Sequence, residues 1–178
     1  ESPNYKDPDI YTAQIFSSAF GGGMSSRLFQ EVREKRGLCY SIFASAGAYC
    51  DTGTMTLYAG TSGDKLADLA HITVDELKRA AEDMSEVEVA RARAQMKAGM
   101  LMGLESPSAR AERLARMISI WDRIPVLDEV VAQIDAVSVE AVRGYAGAMS
   151  DGAPAAMALY GPVSDAPDIA TLQARLVA

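Results

Sequence analysis

The chain has 178 residues, with 17 basic and 24 acidic side chains, a net charge of −7 and 49% hydrophobic residues. That suffices for one domain of ordinary size, burying roughly two thirds of its unfolded surface, while the acidic balance speaks against a nucleic-acid or other phosphate-binding surface and mildly favours neutral or basic peptide partners. Cys39 and Cys50 are too few for a disulfide framework and lack Cys-x-x-Cys spacing, so both read as free thiols, and no apolar run approaches the roughly 20 residues of a membrane span.

Asp7-Pro8 reads as a cap with proline in the first turn, opening a helix from about Pro8 to Phe20 with Ile10, Ala13, Phe16 and Phe20 on one face. Gly21, Gly22 and Gly23 end it. Ser25 or Ser26 then caps a second helix to about Arg36, with Leu28, Phe29 and Val32 inward, and Gly37 is the stop. Two β-rich runs, Cys39 to Tyr49 and Gly53 to Gly60, flank Asp51-Thr52-Gly53 and read as an antiparallel hairpin. Small residues at Ala44, Ala46, Gly47 and Ala48 predict a helix packed close on it. A third helix is expected over about Gly63 to Asp83.

Ser85-Glu86-Val87-Glu88 has capping-box spacing and opens a long helix through Leu101. Ser106-Pro107 starts another, with Leu114, Met117, Ile118 and Trp121 at helical spacing. Helices at about Leu127 to Ile134 and from Ser138 to about Ala148 follow, then a strand from Ala155 to Tyr160 and a terminal helix from Ile169 to Val177. The order predicts an α+β fold with a largely antiparallel sheet covered on one face by helices.

Taken alone, the candidate site residues have plain structural readings. Gly21-Gly22-Gly23 lacks the Lys-Ser/Thr ending of a phosphate loop and follows a helix where a strand should stand, so it reads as a turn between helices. Arg33 belongs to the charged run Arg33-Glu34-Lys35-Arg36, and Tyr40 is a strand residue. His71, with Asp75 one helical turn on, reads as structural, and Met96, Met100 and Met102 as helix packing.

In combination the pattern is more specific. The run Gly21-Gly22-Gly23-Met24-Ser25-Ser26-Arg27-Leu28-Phe29, then Arg33-Glu34-Lys35-Arg36-Gly37-Leu38, then Tyr40, Thr52-Gly53 and Tyr58-Ala59-Gly60-Thr61 resembles the second, non-zinc domain of the pitrilysin-type inverzincin peptidases. That family includes insulin-degrading enzymes, mitochondrial processing peptidases and core subunits of the respiratory cytochrome complex. Looser similarity continues through Gly103-Leu104-Glu105-Ser106 and Leu127-Asp128-Glu129 to Gly161-Pro162.

The resemblance implies a metallohydrolase domain of the processing-peptidase type. Such domains begin with a strand ahead of the first loop, so residues 1–178 are expected to be a single domain from the C-terminal part of a longer two-domain peptidase, with that strand upstream of Glu1 or on another chain. The family's zinc site is His-x-x-Glu-His. This chain has one histidine, His71 in His-Ile-Thr-Val-Asp-Glu, and cannot supply the imidazoles a zinc hydrolase needs. Zinc is therefore expected in a partner domain, with no cofactor in this chain, which alone should be inactive.

In the resembled domains the glycine loop borders the substrate chamber, which makes Gly21, Gly22 and Gly23 substrate-binding candidates. Arg33 and Tyr40 match the arginine and tyrosine aimed across that chamber at bound peptide. A peptide carbonyl under attack gains negative charge on oxygen, and fixed donors lower that barrier by a few kcal/mol each. Tyr40 can donate one hydrogen bond and Arg33 a planar, permanently charged set.

The expected function is thus the substrate-binding, non-zinc half of a zinc metalloendopeptidase. Its partners would be a peptide or unfolded polypeptide and a homologous zinc-binding domain or subunit; a homodimer is compatible, and neither nucleic acid nor membrane is expected. The alternative is a catalytically silent structural or assembly subunit of the same fold, which has no chemical need for the Arg33–Tyr40 pair. A free-standing peptide-binding module is a third reading. Free cysteines and the lack of a visible signal favour the cytoplasm over the periplasm or mitochondrial matrix.

Overall fold

A computed structural model describes residues 1–151 and 153–177. At its centre is α1 (Ile10–Gly21), whose Ile15, Phe16 and Phe20 are fully buried. Phe16 stacks on Phe20 with ring centroids 5.1 Å apart and meets the Tyr145 ring edge-on at 5.5 Å. Such pairs add about 0.5–1.5 kcal/mol to the apolar burial. The helix begins later than the Asp7-Pro8 reading expects. The Asp7 carboxylate accepts the Asp9 N–H at 2.9 Å in a turn before the helix, and Asp9 at the N-cap makes no side-chain cap. Short polar side chains satisfy nearby amides in turns as readily as at caps.

The hairpin pairs β1 (Ser41–Ala48) with β2 (Gly53–Gly60), Ser41 opposite Gly60 and Ala48 opposite Gly53. Ile42 and Ala44 are buried while Phe43 is 46% exposed, so one face is covered and the other open. The small residues of β1 do what their size predicts: α1 lies on this strand, and a Cβ built on Gly21 would stand 2.4 Å from the Ala44 nitrogen. A single extra methyl there would force the layers apart.

A 3₁₀ turn at Gly63–Lys65 leads into α2 (Leu66–Asp83), followed by α3 (Glu86–Gly103), α4 (Pro107–Trp121), α5 (Leu127–Ala136), α6 (Val139–Ser150) and α7 (Ile169–Val177). The Ser85–Glu88 capping box forms in both directions, and Ser106 and Ser138 accept from Ala109 N–H and Ala141 N–H as their positions predict. Helix α1 packs on α3 and α6, and α2 on α6 and α7, enclosing one apolar core. Met96 and Met100 pack against that core, whereas Met102 is 70% exposed. On α4 only part of the predicted face is inward: Met117 is buried, but Leu114 and Ile118 are exposed.

Two expectations are corrected. The segment after the glycine loop is not an α-helix capped by Ser25 or Ser26. It is a π-helical turn, Phe29–Glu34, closed by the Lys35 N–H on the Gln30 carbonyl at 2.9 Å, and the Ser26 hydroxyl is buried without a partner. Leu28 and Val32 are both fully buried, and the wider turn keeps them inward while Arg27 is tied to α3. The strand expected at Ala155–Tyr160 does not form among the described residues, because no neighbour pairs with it; Ala155 to Leu159 run opposite β2 across a groove. The fold is α+β, with a two-stranded antiparallel sheet covered on one face by helices.

Candidate functional site

Arg27 anchors the turn that carries Arg33. Its guanidinium is 11% exposed and donates to both Glu88 carboxylate oxygens, at 2.6 and 2.9 Å, to the Asp83 carboxylate, and to the Asp83 carbonyl at 3.0 Å. Burial by itself would raise the Glu88 pKa; hydrogen bonds from Arg27 and Ser85 override it and bring it down to about 2. Partly buried, charge-assisted and bidentate, this is the kind of ion pair that holds a geometry. The Gln30 amide reaches back to the Met24 carbonyl at 2.7 Å, tying the glycine loop to the same turn.

Within the charged run the side chains separate by partner. Lys35 and Arg36 both go to Glu31, at 2.5 and 2.8 Å, and together hold its carboxyl below the usual range. Arg33 does not join them. Its guanidinium carbon lies 4.5 Å from the centroid of the Phe29 ring and 6.0 Å from that of Tyr40, with a loose 3.5 Å contact to Glu34. Stacking on aromatic faces suits a weakly hydrated planar cation and leaves its N–H edge free to donate.

Tyr40 is brought beside Arg33 by the turn between them. Gly37 takes φ +61°, a conformation that costs other residues about 1–2 kcal/mol. The Gly37 N–H bonds the Arg33 carbonyl and the Leu38 N–H the Val32 carbonyl, both at 3.0 Å, while Lys65 donates to the Gly37 carbonyl at 2.8 Å. The Tyr40 N–H then bonds the Gly60 carbonyl at 2.9 Å, fixing its backbone at the entry to β1. The Tyr40 side chain is 86% exposed. It borders an open depression with Tyr58 and Lys65.

Phe43 and Tyr58, opposite one another in the ladder, stack with centroids 5.0 Å apart on the uncovered side of the sheet. Tyr58 also borders the depression at Tyr40. Sequence reasoning passed over both as site residues, although strand alternation places Phe43 opposite in face to Ile42 and Ala44 and so marks it as outward.

The three glycines are placed differently from one another. Gly21 is buried against β1, whereas Gly22 and Gly23 are exposed. Gly23 lines a small cleft with Ser26, Glu88 and Arg91, separate from the depression at Tyr40. Arg33 and Tyr40 are thus brought together, and the loop is tied to their turn through the Gln30 side chain on the Met24 carbonyl. Cys39 and Cys50 are free thiols, as their spacing predicts. Burial pushes the Cys39 thiol up, and nearby Arg33 offsets this in part.

Among the described residues no group of three or more His, Cys, Asp or Glu side chains converges to hold a metal ion. His71 is half-buried on α2, and the nearby Asp75 carboxylate is committed to Arg175 at 2.6 and 2.7 Å.

Residues 1–96 match the family described as the Peptidase M16 inactive domain. An uncharacterized zinc protease of Mycobacterium tuberculosis (strain ATCC 25618 / H37Rv) is 36% identical over 137 residues, covering 76% of this chain and 31% of the relative. The uncharacterized zinc protease YmxG of Bacillus subtilis (strain 168) is 34% identical over 140 residues, 77% of this chain and 34% of the relative. The chain therefore spans about a third of the length of these relatives. Among solved structures, a chain of complex III from Candida albicans superposes with a TM-score of 0.74 at 24% identity, over 83% of this chain and 37% of that one. A protease from Helicobacter pylori does so with a TM-score of 0.68 at 22% identity, over 83% and 36%. These last two likenesses establish a common fold.

Proposed function

The chain belongs to the inactive-domain family of the M16 peptidases, and from that premise we propose that it is the substrate-binding half of a zinc metalloendopeptidase, presenting Arg33 and Tyr40 to a peptide bound at a zinc site on a homologous domain or subunit. The observation that carries this reading is the placement of Arg33: while Lys35 and Arg36 pair with Glu31, its guanidinium lies over the Phe29 ring and within 6.0 Å of the exposed Tyr40 ring, with only a loose 3.5 Å contact to Glu34. A solvated surface arginine needs no such holder. The names of the relatives from Mycobacterium tuberculosis and Bacillus subtilis, both zinc proteases, support the peptidase context.

In this reading Arg33 donates to backbone carbonyls of an extended substrate and places its charge near the scissile carbonyl. Tyr40 donates its O–H to the oxygen on which negative charge develops. Neither group ionises or attacks. Arg33 is placed before substrate arrives by the Phe29 ring, and the Gly37 turn and the Gly60 carbonyl fix the backbone that carries Tyr40. The uncovered aromatic face around Phe43 and Tyr58 supplies apolar area for substrate side chains. Gly22 and Gly23, without side chains, leave the loop open to a passing peptide.

The test is peptide hydrolysis with zinc present, by this chain alone and mixed with a His-x-x-Glu-His half. Activity is expected only in the mixture, reduced about tenfold or more by Arg33→Ala and by Tyr40→Phe. Activity in this chain alone, or a mixture indifferent to both substitutions, would overturn the reading. The second outcome would leave a silent structural subunit ahead, a reading that the superposition on a complex III chain keeps in play.

A further inference from the structure

The Tyr40 side chain is 86% exposed, so packing does not set where its hydroxyl stands; the backbone leading to it does. On the N–H side that backbone is tied to the π-helical turn, Gly37 to the Arg33 carbonyl and Leu38 to the Val32 carbonyl, both at 3.0 Å. On the C=O side it is tied elsewhere. The Lys65 ammonium donates to the Gly37 carbonyl at 2.8 Å, and the Thr61 hydroxyl donates to the Leu38 carbonyl at 2.5 Å. Gly37 and Leu38 thus have all four backbone polar groups bonded, two by the turn that carries Arg33 and two by side chains that follow β2.

These two side chains are seated by their own surroundings. Gly60 ends β2 and accepts the Tyr40 N–H at 2.9 Å, which brings the next residue, Thr61, alongside the same turn. Lys65 closes the 3₁₀ turn with its N–H on the Ser62 carbonyl at 3.1 Å. That turn is packed tightly: a Cβ built on Gly63 would stand 2.7 Å from the Pro162 carbonyl oxygen. Thr61 and Lys65 border the same open depression as Tyr40 and Tyr58. Among the described residues the Lys65 ammonium makes no ion pair, and its hydrogen bond goes to a neutral carbonyl of the turn.

We propose that Thr61 and Lys65 are positioning residues: by holding the Leu38 and Gly37 carbonyls they fix the short path from Arg33 to Tyr40, and with it the spacing of the two donors that a peptide substrate meets. The inference rests on the reading of Arg33 and Tyr40 given above and deepens it. A threonine hydroxyl has one proton to donate, and that of Thr61 is committed to Leu38. Lys65 acts through Gly37, whose positive φ makes the reversal that delivers Tyr40. Small displacements of a donor are costly in catalysis, which is why a hydrogen bond two or three residues before Tyr40 matters to its chemistry.

The test combines exchange with kinetics. The Tyr40 amide should exchange about fivefold or more faster in Thr61→Val and in Lys65→Met, while amides at the centre of the hairpin keep their rates. In peptide hydrolysis by the mixture with the His-x-x-Glu-His half, each substitution should lower kcat about fivefold and leave KM within about twofold, and Thr61→Ser should restore kcat. In a Tyr40→Phe background each should add less than about twofold, since nothing is left to position. Should Thr61→Val fail to fold, Lys65→Met, at an exposed position, carries the test alone. Unchanged Tyr40 exchange, or full additivity with Tyr40→Phe, would overturn the proposal. So would a Lys65→Met loss that lies in KM and follows substrate charge, which makes Lys65 a direct contact. Hydrolysis indifferent to Tyr40→Phe would overturn the underlying reading as well, whereas a loss in Tyr40→Phe with none in Thr61→Val and Lys65→Met would overturn this inference alone.

Discussion

Replacing Glu88 by Gln tests the anchor behind the Arg33-bearing turn. In the folded chain Glu88 has a pKa of about 2 against an ordinary 4.5, a gap worth about 3 kcal/mol at 1.36 kcal/mol per unit. Because the folded value is depressed, this stabilisation is fully present above pH 4.5 and drains away as the pH falls toward 2; at pH 3 about 1 kcal/mol is left. The side chain is 20% exposed and its Arg27 partner 11%, so solvent screening takes little from it. Glu88→Gln should therefore lower the unfolding free energy by about 3 kcal/mol at pH 7 and by about 1 kcal/mol at pH 3, measured by urea denaturation of both proteins at both pH values. Glu76, whose burial raises its carboxyl despite Arg79, titrates in both proteins and cancels in the difference. A loss as large at pH 3 as at pH 7 would refute the reasoning, since packing and not charge would then be the source.

Gly21→Ala should cost about 1–3 kcal/mol, because its methyl would meet the Ala44 nitrogen and Cβ at 2.4 and 2.6 Å; Gly23→Ala, with nothing within 4 Å, should cost under about 0.5 kcal/mol. Thermal unfolding that ranks the two equally would remove Gly21 as the close contact between helix and sheet. Cys39, half-buried and with its thiol pushed up, should react with an aromatic disulfide reagent more slowly at pH 8 than exposed Cys50. Cys50→Ser should abolish the fast phase, and a fast phase that instead vanishes in Cys39→Ser would contradict that ranking.

Signals contained within a few residues were legible in the sequence. The Ser85–Glu88 box, the Ser106-Pro107 start and the Ser138 cap each satisfy orphan backbone N–H groups from a side chain within one turn, and the Gly37 stop works through its own positive φ; each forms as expected. The hairpin runs and the small residues of β1 likewise foretold close packing by α1, since volume is a property of the residue itself. The Arg33–Tyr40 candidates were drawn from the ordered run between Gly21 and Thr61 by resemblance, as the charged run around Arg33 gave no local reason to prefer it over Lys35 or Arg36.

Tertiary structure decided what depends on partners distant along the chain. Arg27 could become an anchor only when Glu88, 61 residues away, reached it, and the turn between Arg27 and Gly37 took a π-helical form with Leu28 and Val32 both held inward. Arg33 was set apart from its neighbours once Lys35 and Arg36 took Glu31 and the Gly37 turn delivered the Tyr40 ring. The segment Ala155–Tyr160 had the composition of a strand and stayed unpaired, because a strand is completed by another strand's backbone and its own side chains cannot supply one.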